Sequence, residues 1–507
     1  MKTENRSQWL LLLAVFIIAT CGLIYELVAG TLASYLLGDS IMQFSTIIGV
    51  YLFAMGVGSF LSKYFEKGLL QWFIKIELLV GLVGGFSAAV LFVVFPLASS
   101  FRVILYAIVC ITGILVGIEI PLLMRILKEK IEFKELVSRV FTFDYIGALL
   151  ASLIFPLLLV PYFGLIRTSL FFGILNVGVG WFLAHRFLKE SRQGMVLKAS
   201  ATVLLLAQAV AFVFSENILA YSETMMYTDQ VVYATSSPYQ RIVITKNKKE
   251  LHLFLNGNLQ FSTADEYRYH EALVHPAMAS VEQPVNILVL GGGDGLAVRE
   301  ILKYPSIQQI TLVDLDARVT NLFSTQPMLK NINQSSLLNS KVKVYNDDAF
   351  VWLGKNKQLF DVIIVDFPDP SNFSIGKLYS THFYRLLKRA MKPETISVIQ
   401  CTSPFAAPKS YWCIDATLKA VGLVTINYHN YVPSFGEWGY IMATPQKEHN
   451  WYAHLPDSLH FLDIDMMKLM LQFPKDMKVQ QALPPNKLNN QVLVNYFEEE
   501  WDKYLAQ

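Results

Sequence analysis

One stretch, VNILVLGGGDGLAVREIL at residues 285–302, restricts the possible folds more than any other part of the sequence. Val285 to Leu290 is a short apolar run rich in β-branched residues, typical of a buried strand in a parallel sheet. The next residues include Gly291, Gly292, Gly293 and Gly295, which let the backbone turn sharply and approach a ligand. Helical periodicity follows, so the stretch predicts the nucleotide-binding start of a doubly wound α/β domain.

Asp294 lies inside this loop, where a phosphate-binding loop would present only backbone N–H groups. A carboxylate at that position repels phosphate. The loop therefore favours a ligand that is cationic and carries no phosphate. An S-adenosyl sulfonium with a free amine fits that description.

The composition divides the 507-residue chain into two parts. Hydrophobic residues make up 53% and charged residues 16%, which is too apolar for a soluble protein and too charged for one that is membrane-embedded throughout. A net charge of +2 gives no bulk attraction to nucleic acid. The four cysteines are too sparse for a disulfide framework or a zinc site. We predict a multi-span membrane domain at 1–215, a small β-sheet subdomain at 216–284 and a catalytic domain at 285–507.

Seven apolar segments of the first part are long enough to span a bilayer. They lie near 8–29, 41–61, 72–95, 101–124, 140–160, 163–184 and 196–215. Fourteen basic residues flank them on one set of loops and helix ends, against only Arg102 and Arg167 on the other. The positive-inside rule then predicts a cytoplasmic N-terminus, and seven spans place residues 216–507 outside the cytoplasm at the cell (inner) membrane. The fourteen are Lys2, Arg6, Lys63, Lys67, Lys75, Arg125, Lys128, Lys130, Lys134, Arg139, Arg186, Lys189, Arg192 and Lys198.

Ionisable residues also occur within or at the edges of these segments, namely Glu26, Glu77, Glu119, Arg125 and Asp144. Such residues are costly in lipid and face a partner or a cavity. One interpretation is that they pair with one another and hold the helices together. A second is that they line a polar cavity for a small cation, and a third is that they are exposed at the membrane interface.

Residues 216–284 predict a small antiparallel sheet, because QVVYATSSPYQRIVITK and ELHLFLNGNLQFS alternate apolar and polar residues. Asn256-Gly257 marks a turn between two of its strands. A helix is expected in ADEYRYHEALVHPAMAS, with Asp265 and Glu266 favourable in its first turn.

From residue 285 onward, strands and helices alternate regularly. The predicted strands are 285–290, 310–315, 341–345, 361–366, 396–401, 423–429 and 437–443. Seven strands with a terminal antiparallel pair predict the methyltransferase-type variant of the doubly wound, Rossmann-like sheet. Ligands of such sheets bind at the carboxyl ends of the strands.

Acidic residues follow four consecutive strands of this predicted sheet. They are Asp294, then Asp314 and Asp316, then Asp347 and Asp348, then Asp366 and Asp369. Asp314 is placed to accept ribose hydroxyls, and Asp348, next to Ala349, is placed to accept from an adenine amino group. The other acids suit ammonium groups. A protonated alkylamine is not a nucleophile, and a neighbouring carboxylate can take or relay its proton.

Residues 230–443 resemble the spermidine synthase (polyamine aminopropyltransferase) family. The resemblance rests on SPYQRIVI, LNGNLQFSTADEYRYHE, GGGDG, VDLD, NDDA, and DFPDP followed by LYSTHFYRLL, in that order. The first part, with YELVAGTLASYLLG, GIEIPLLMR and FDYIGALLASLIFPLLL, is similar to the seven-span N-terminal module fused to some bacterial members.

The resemblance implies transfer of an aminopropyl group from decarboxylated S-adenosylmethionine to putrescine or a related amine, giving spermidine and methylthioadenosine. The donor is a co-substrate, and no metal or resident cofactor is implied. Asp366 corresponds to the acid that accepts the amine proton. The implied substrate contacts are Tyr239, Gln240, His270, Asp294, Asp314, Asp348, Ala349 and Asp369. A homo-oligomer, a dimer or larger, is also expected.

Two departures from the family pattern concern substrate contacts. Asp369-Pro370-Ser371-Asn372-Phe373 replaces DPxGP, so the lid over the adenosine differs. Phe435 stands where a tyrosine often lies near the amine, which leaves the amine acceptor open. Two other functions remain open, an S-adenosylmethionine-dependent methyltransferase and a polyamine transporter or sensor whose soluble part only binds. The carboxylate Asp294 opposes the first, since it would repel a donor that keeps its own carboxylate.

Overall fold

The computed structural model describes residues 2–37, 40–98, 100–128, 132–188, 191–446 and 455–505. Lys130 and Lys189, two of the basic residues used to predict orientation, lie outside these ranges. The chain divides into two compact units, Met1–Pro238 and Tyr239–Gln507. The boundaries predicted at 215 and 284 remain predictions.

The first unit is helical and ends in one strand. Its elements are α1 (Lys2–Leu37), α2 (Ser40–Leu61), α3 (Leu69–Val94), α4 (Phe101–Leu127), α5 (Phe133–Ile154), α6 (Val160–Phe187), α7 (Arg192–Val213), α8 (Ser215–Met226) and β1 (Gln230–Ser236). A five-residue π-helix, Phe155–Leu159, joins α5 to α6 and contains Pro156, whose missing N–H disturbs the regular α-helical hydrogen bonds.

Six helical segments within the described residues are long and apolar enough to cross a membrane. They are Leu12–Leu37, Met42–Tyr64, Leu69–Val94, Phe101–Leu127, Phe133–Phe187 and Arg192–Val213. The predicted segments 140–160 and 163–184 both fall in the fifth, which is 55 residues long and has non-helical dihedral angles at Gly164. The helical, membrane-compatible character of the first part agrees with the sequence, whereas the number of spans stays a prediction.

The second unit contains ten strands and ten α-helices within its described residues. They are β2 (Arg241–Asn247), β3 (Glu250–Leu255), β4 (Asn258–Ser262), α9 (Glu266–Met278), β5 (Asn286–Gly291), α10 (Leu296–Ile301), β6 (Gln309–Asp314), α11 (Ala317–Thr325), α12 (Pro327–Ile332), β7 (Val342–Asn346), α13 (Ala349–Lys355), β8 (Phe360–Asp366), α14 (Phe373–Gly376), α15 (Thr381–Arg389), β9 (Met391–Gln400), α16 (Pro408–Ala420), β10 (Val424–Val432), β11 (Gly436–Thr444), α17 (Ile464–Met470) and α18 (Val492–Leu505).

The main sheet of this unit has seven strands in the order β10-β11-β9-β8-β5-β6-β7. Strands β9, β8, β5, β6 and β7 are parallel, while β11 runs antiparallel to both β9 and β10. From β5 the chain adds β6 and β7 on one side of the sheet and then β8 and β9 on the other, so the topological switch point lies beside β5. The carboxyl ends of β5, β6 and β8 therefore border one cleft. The predicted doubly wound sheet with a terminal antiparallel pair is confirmed, and its strands begin and end near the predicted residues.

A smaller antiparallel sheet contains β2, β3 and β4, and Asn256 and Gly257 form the turn between β3 and β4 with positive φ angles. Helix α9 follows, as the sequence predicts. Its buried Glu271 accepts hydrogen bonds from the backbone N–H groups of His460, Phe461 and Leu462 at 2.8–2.9 Å. A carboxylate holding three N–H groups fixes this later segment of the chain to α9.

Candidate active site

Asp366 is the last residue of β8 and is paired in register with Gly291 at the end of β5. The hydroxyl group of Tyr269, on α9, donates a hydrogen bond to Asp366 Oδ1 at 2.6 Å. A side chain at position 291 would place its Cβ 2.1 Å from the carbonyl oxygen of Asp366, so only glycine fits beside this carboxylate. The glycine loop therefore lies directly against the predicted catalytic acid.

The same loop contacts the acid at the end of the neighbouring strand. The Gly293 N–H donates to Asp314 Oδ2 at 3.0 Å, and a Cβ on Gly293 would come within 2.7 Å of that carboxyl group. Asp314 Oδ1 accepts from the Asp316 N–H at 2.8 Å. Both oxygens keep a lone pair for further donors. This geometry leaves Asp314 able to accept ribose hydroxyls.

Asp294 Oδ1 accepts a hydrogen bond at 2.9 Å from the backbone N–H of Leu296, the first residue of the helix that follows the loop. Asn333 holds the loop from the other side by donating to the Asp294 carbonyl oxygen at 2.8 Å. Loss of hydration in the cleft raises the pKa of the Asp294 carboxyl, and nearby His270 opposes that change. A cationic ligand beside such a carboxyl group would lower its pKa again and stabilise the charged carboxylate.

His270 is 2% exposed, and its Nδ1 lies 2.8 Å from Glu266 Oε2. Burial alone would lower the pKa of His270, but the hydrogen-bonded Glu266 carboxylate raises it to about 9. Asp294 and Asp366 also raise that pKa, so the histidine lies close to both acids. Arg299 donates to both Glu266 oxygens at 2.8 and 3.0 Å. Despite its burial, these partners lower the pKa of Glu266 to about 2, which keeps it ionised beneath the site.

Asp369, three residues beyond Asp366, accepts from Gln400 Nε2 and from Thr402 Oγ1, each at 3.2 Å. Thr402 has a φ of +42°, which is costly for a β-branched residue and marks local strain. The Trp501 ring N–H donates to the same threonine hydroxyl at 3.3 Å. Asp369 is thus held by residues from the end of β9 and, through Thr402, from α18.

Three carboxyl groups at the strand ends share a raised pKa. Loss of hydration raises the pKa of Asp366 to about 6, although His270 and the Tyr269 hydroxyl oppose the change. Burial likewise raises the pKa of Asp314 to about 6 and that of Asp369 to about 6. Each group can therefore take up or release a proton near neutral pH, as a general base requires.

Asp348 lies at the start of α13, where Oδ1 accepts from the Phe350 N–H at 2.8 Å. Its Oδ2 accepts from Lys377 Nζ at 2.8 Å. Ala349 is buried as the first residue of the helix. Asp348 therefore has a structural role and an ion-pair partner in addition to its predicted contact with adenine.

The remaining predicted residues lie nearer the small sheet and the β10–β11 turn. Gln240 Nε2 donates to Asp316 Oδ2 at 2.9 Å, which ties it to the end of β6. The Tyr239 side chain is 55% exposed. Phe435 packs against Tyr269, with ring centroids 6.0 Å apart. The phenylalanine thus reaches the tyrosine that donates to Asp366.

The structure brings Asp294, Asp314, Asp366 and His270 together in one cleft. Their roles remain predictions. Sequence reasoning missed the residues that hold the predicted site residues in place. Glu266, Tyr269 and Arg299 lie around His270 and Asp366, Lys377 pairs with Asp348, and Gln400 and Thr402 donate to Asp369. A usable signal existed for two of these, because Glu266 lies one helical turn before His270 and Tyr269 lies directly before it.

The fold defines a doubly wound α/β domain of methyltransferase-type topology, with carboxylates at the carboxyl ends of its parallel strands. The Spermine/spermidine synthase domain family matches residues 266–453. A polyamine aminopropyltransferase of Leptospira interrogans is 52% identical over 98% of this chain and 100% of the relative. Polyamine aminopropyltransferase 2 of Ralstonia nicotianae is 53% identical over 98% and 99%, respectively. The spermidine synthase structure from Thermotoga maritima is 22% identical, with a TM-score of 0.40 over 54% of this chain and 88% of that chain.

The chain belongs to the polyamine aminopropyltransferase family. The relatives align over nearly the whole chain, so the membership includes the helical first unit. The sequence-based predictions of the family and of a transferase activity are confirmed.

Proposed function

We propose that the chain transfers the aminopropyl group of decarboxylated S-adenosylmethionine to putrescine or a related amine, releasing methylthioadenosine and spermidine. The observation that carries this is the Asp366 carboxyl group, with a pKa raised to about 6, at the end of β8 and bonded to Tyr269. Family membership supplies the type of reaction, and the acidic cleft supports a donor and an acceptor that are both cationic.

The reaction is a displacement at carbon. The amine nitrogen attacks the aminopropyl carbon bound to the sulfonium, the carbon–sulfur bond breaks, and its electron pair converts the sulfonium to a neutral thioether. The nitrogen must first lose a proton, because an ammonium has no lone pair. In our proposal Asp366 takes that proton, and Tyr269 keeps its carboxylate in line with the nitrogen.

The other predicted residues divide between the two substrates. Asp314 is proposed to accept from the ribose hydroxyls, and Asp348, Ala349 and Gln240 to contact the thioadenosine. Binding of adenine at Asp348 would have to share or displace the ion pair with Lys377.

The amine-side contacts are the second group of proposed contacts. They are Tyr239, His270, Asp294 and Asp369. The support for Asp294 and Asp369 is that each lies in the acidic cleft with a raised pKa, a state that a bound ammonium would reverse.

Two other functions are kept as alternatives. A methyltransferase is disfavoured because its donor retains a carboxylate that would meet Asp294. A polyamine transporter or sensor would use the second unit for binding only, yet the cleft contains a proton acceptor that binding alone does not need.

The deciding experiment incubates the purified full-length protein with decarboxylated S-adenosylmethionine and a panel of amines, read by mass spectrometry. We expect methylthioadenosine together with one aminopropylated amine. Methylated products from S-adenosylmethionine would support the first alternative. Binding of both substrates without any product would support the second.

For the first unit we propose seven spans in the inner membrane, in a domain covering 1–215, followed by the subdomain 216–284 and the catalytic domain 285–507. The support is that the 55 residues of Phe133–Phe187 would extend ~80 Å as one helix, against ~30 Å of bilayer hydrocarbon. The break at Gly164 offers a place for the chain to turn.

With seven spans, the excess of basic residues on one set of loops favours a catalytic domain outside the cytoplasm. The family's donor is made in the cytoplasm, so this orientation requires the donor or the amine to cross the membrane. A reporter active only outside the cytoplasm, fused after Gln507, should be active. A silent outside reporter with an active cytoplasmic one would show that the span count is wrong. A homo-oligomer is also part of the proposal, and light scattering of the detergent-purified protein tests it.

A further inference from the structure

Four polar side chains are buried between helices of the first unit. They are Glu77 of α3, Glu119 of α4, Asn176 of α6 and Gln208 of α7, and none is more than 1% exposed. Asn176 Nδ2 donates to Glu77 Oε2 at 3.1 Å, and the carboxyl groups of Glu77 and Glu119 lie within hydrogen-bonding range of each other. We call these four residues the buried acceptor cluster.

Glycines let these side chains approach one another. Gln208 Nε2 donates to the carbonyl oxygen of Gly81 at 2.5 Å, one helical turn from Glu77. A Cβ at Gly85 would lie 2.5 Å from that amide nitrogen, and one at Gly173 would lie 2.6 Å from it. The amide of α7 is thus inserted where α3 and α6 lie close together.

Five oxygens of the cluster have no hydrogen-bond donor other than a carboxyl O–H of the acid pair itself. Among the described residues, they are Glu77 Oε1, both carboxyl oxygens of Glu119, Asn176 Oδ1 and Gln208 Oε1. Over the same residues, no lysine or arginine forms an ion pair with either acid. Every one of these atoms is an acceptor. Buried acceptors without donors are costly, and most so inside a membrane, so the cluster suits a ligand that brings N–H donors and positive charge.

A small cavity extends from Glu119 between apolar side chains. Its lining consists of Val15, Ile18, Phe73, Glu119, Ile120 and Leu123. A primary ammonium carries three donors for the acceptors of the cluster, and the methylenes attached to it would contact this apolar wall. A bare metal ion would form no favourable contact with the apolar side chains that line the cavity.

We infer that the buried acceptor cluster is a second amine site, which binds the ammonium end of a primary alkylamine inside the helical unit. The site is separate from the carboxylates of the second unit and does not depend on the catalytic proposal. It gives the first unit a binding function for the same chemical class of molecule as the amine substrate.

The test measures equilibrium binding of radiolabelled putrescine to the full-length protein in lipid nanodiscs. Glu119→Gln should bind one putrescine fewer per chain than the wild type and keep its catalytic turnover in detergent. Asn176→Leu, which keeps both carboxyl groups but removes an acceptor, should weaken the same site by about 10-fold. Asp144→Asn, a partly exposed acid of α5 outside the cluster, serves as the control and should bind like the wild type.

Equal numbers of bound putrescine in the wild type and Glu119→Gln would overturn the inference and leave the two acids sharing a proton. Displacement of the labelled amine by sodium at equal concentration would also overturn it, since the site would then be one for inorganic cations. If Glu119→Gln does not fold, Asn176→Leu decides, and unchanged affinity in that variant rejects the site.

Discussion

Carboxylates of the second unit and carboxylates of the helical unit differ in the donors that surround them. In the second unit, Asp366, Asp314 and Asp369 each accept a hydrogen bond in the cleft. The donors are the Tyr269 hydroxyl, the Gly293 N–H and the Thr402 hydroxyl, respectively. Glu77 and Glu119 lie next to each other deep between helices, and the Asn176 amide donates a hydrogen bond to Glu77. The first arrangement holds an acid ready for proton transfer, because its hydrogen-bond donors offset part of the cost of burying its charged form and leave its pKa near 6. The second leaves an acid dependent on whatever cation or proton arrives.

The largest effect expected from this comparison is at Asp366. Asp366→Asn keeps the shape of the side chain but removes the proton acceptor, so turnover should fall by about 100-fold or more, while methylthioadenosine still binds. Initial rates of methylthioadenosine formation and calorimetry measure the two quantities.

Asp361→Asn is the matched control for that variant. Asp361 is an acid of the same strand, where it accepts from the N–H groups of Val285 and Asn286 at 3.0 and 2.8 Å, away from the cleft. It should lower stability and leave turnover nearly intact. Near-normal turnover in Asp366→Asn would show that Asp366 is not the proton acceptor. Hydrogen-bond donors around an acid at a strand end would then give it no advantage in proton transfer over the buried pair.

The ion-pair chain beneath the site should have the next largest effect. Glu266→Gln removes the partner of His270 and Arg299, and breaking a buried pair should lower the free energy of unfolding by about 2 kcal/mol or more. Thermal unfolding of the full-length protein in detergent measures this. The exposed Glu282→Gln is the control and should change stability little.

That loss should depend on pH in a defined direction. The folded-state pKa of His270 is raised from 6.5 to about 9, so its contribution is full below pH 6.5 and is lost as the pH rises through 9. The pKa of Glu266 is lowered from 4.5 to about 2, so its contribution is full above pH 4.5 and is lost as the pH falls through 2. The difference between wild type and Glu266→Gln should therefore be largest between pH 4.5 and 6.5. A difference that grows toward pH 9 would contradict this account.

Donor selectivity tests whether Asp294 acts through its charge. Decarboxylated S-adenosylmethionine and methylthioadenosine should bind measurably, and S-adenosylmethionine about 10-fold more weakly or worse, because its carboxylate meets a like charge. In Asp294→Asn the difference in affinity between decarboxylated S-adenosylmethionine and S-adenosylmethionine should become smaller. Calorimetry with the three ligands provides the measurement, and equal affinities in the wild type would favour the methyltransferase alternative.

The smallest effect is expected from the hydroxyl group that holds Asp366. Tyr269→Phe should lower turnover at neutral pH by about fivefold, because the hydrogen bond that lowers the pKa of Asp366 is lost. As a base, Asp366 must be deprotonated, so the wild-type rate should fall as the pH drops through about 6. In the variant this fall should begin at a higher pH. Phe435 contacts Tyr269 by packing alone, so Phe435→Leu should leave the midpoint of the pH–rate profile unchanged. If the midpoint is also unchanged in Tyr269→Phe, the pH dependence of the rate does not come from Asp366.

The local sequence was sufficient for the strands, the glycine loop and the acids at the strand ends. Alternation of strands and helices predicts a parallel sheet, and a parallel sheet brings its carboxyl ends to one edge. That reasoning predicts Asp294, Asp314 and Asp366 in one cleft from the sequence alone. The number of membrane spans is harder to predict from the sequence. An apolar composition does not show whether the helical stretch 133–187 crosses the bilayer once or turns back and crosses it twice.

What the sequence alone determined is therefore the set of reactive side chains and the edge of the sheet on which they lie, since both follow from short-range periodicity. Only the tertiary structure decided which donor each acid receives. Tyr269 and Asp366 are 97 residues apart, and Asn176 and Glu77 are 99 residues apart. Pairings over such distances depend on how whole elements pack, and no local pattern encodes that packing. The same physical reason explains why Asp366 and Asp314 each receive a donor, whereas in the helical unit an amide donates to Glu77 and none donates to Glu119 within the described residues.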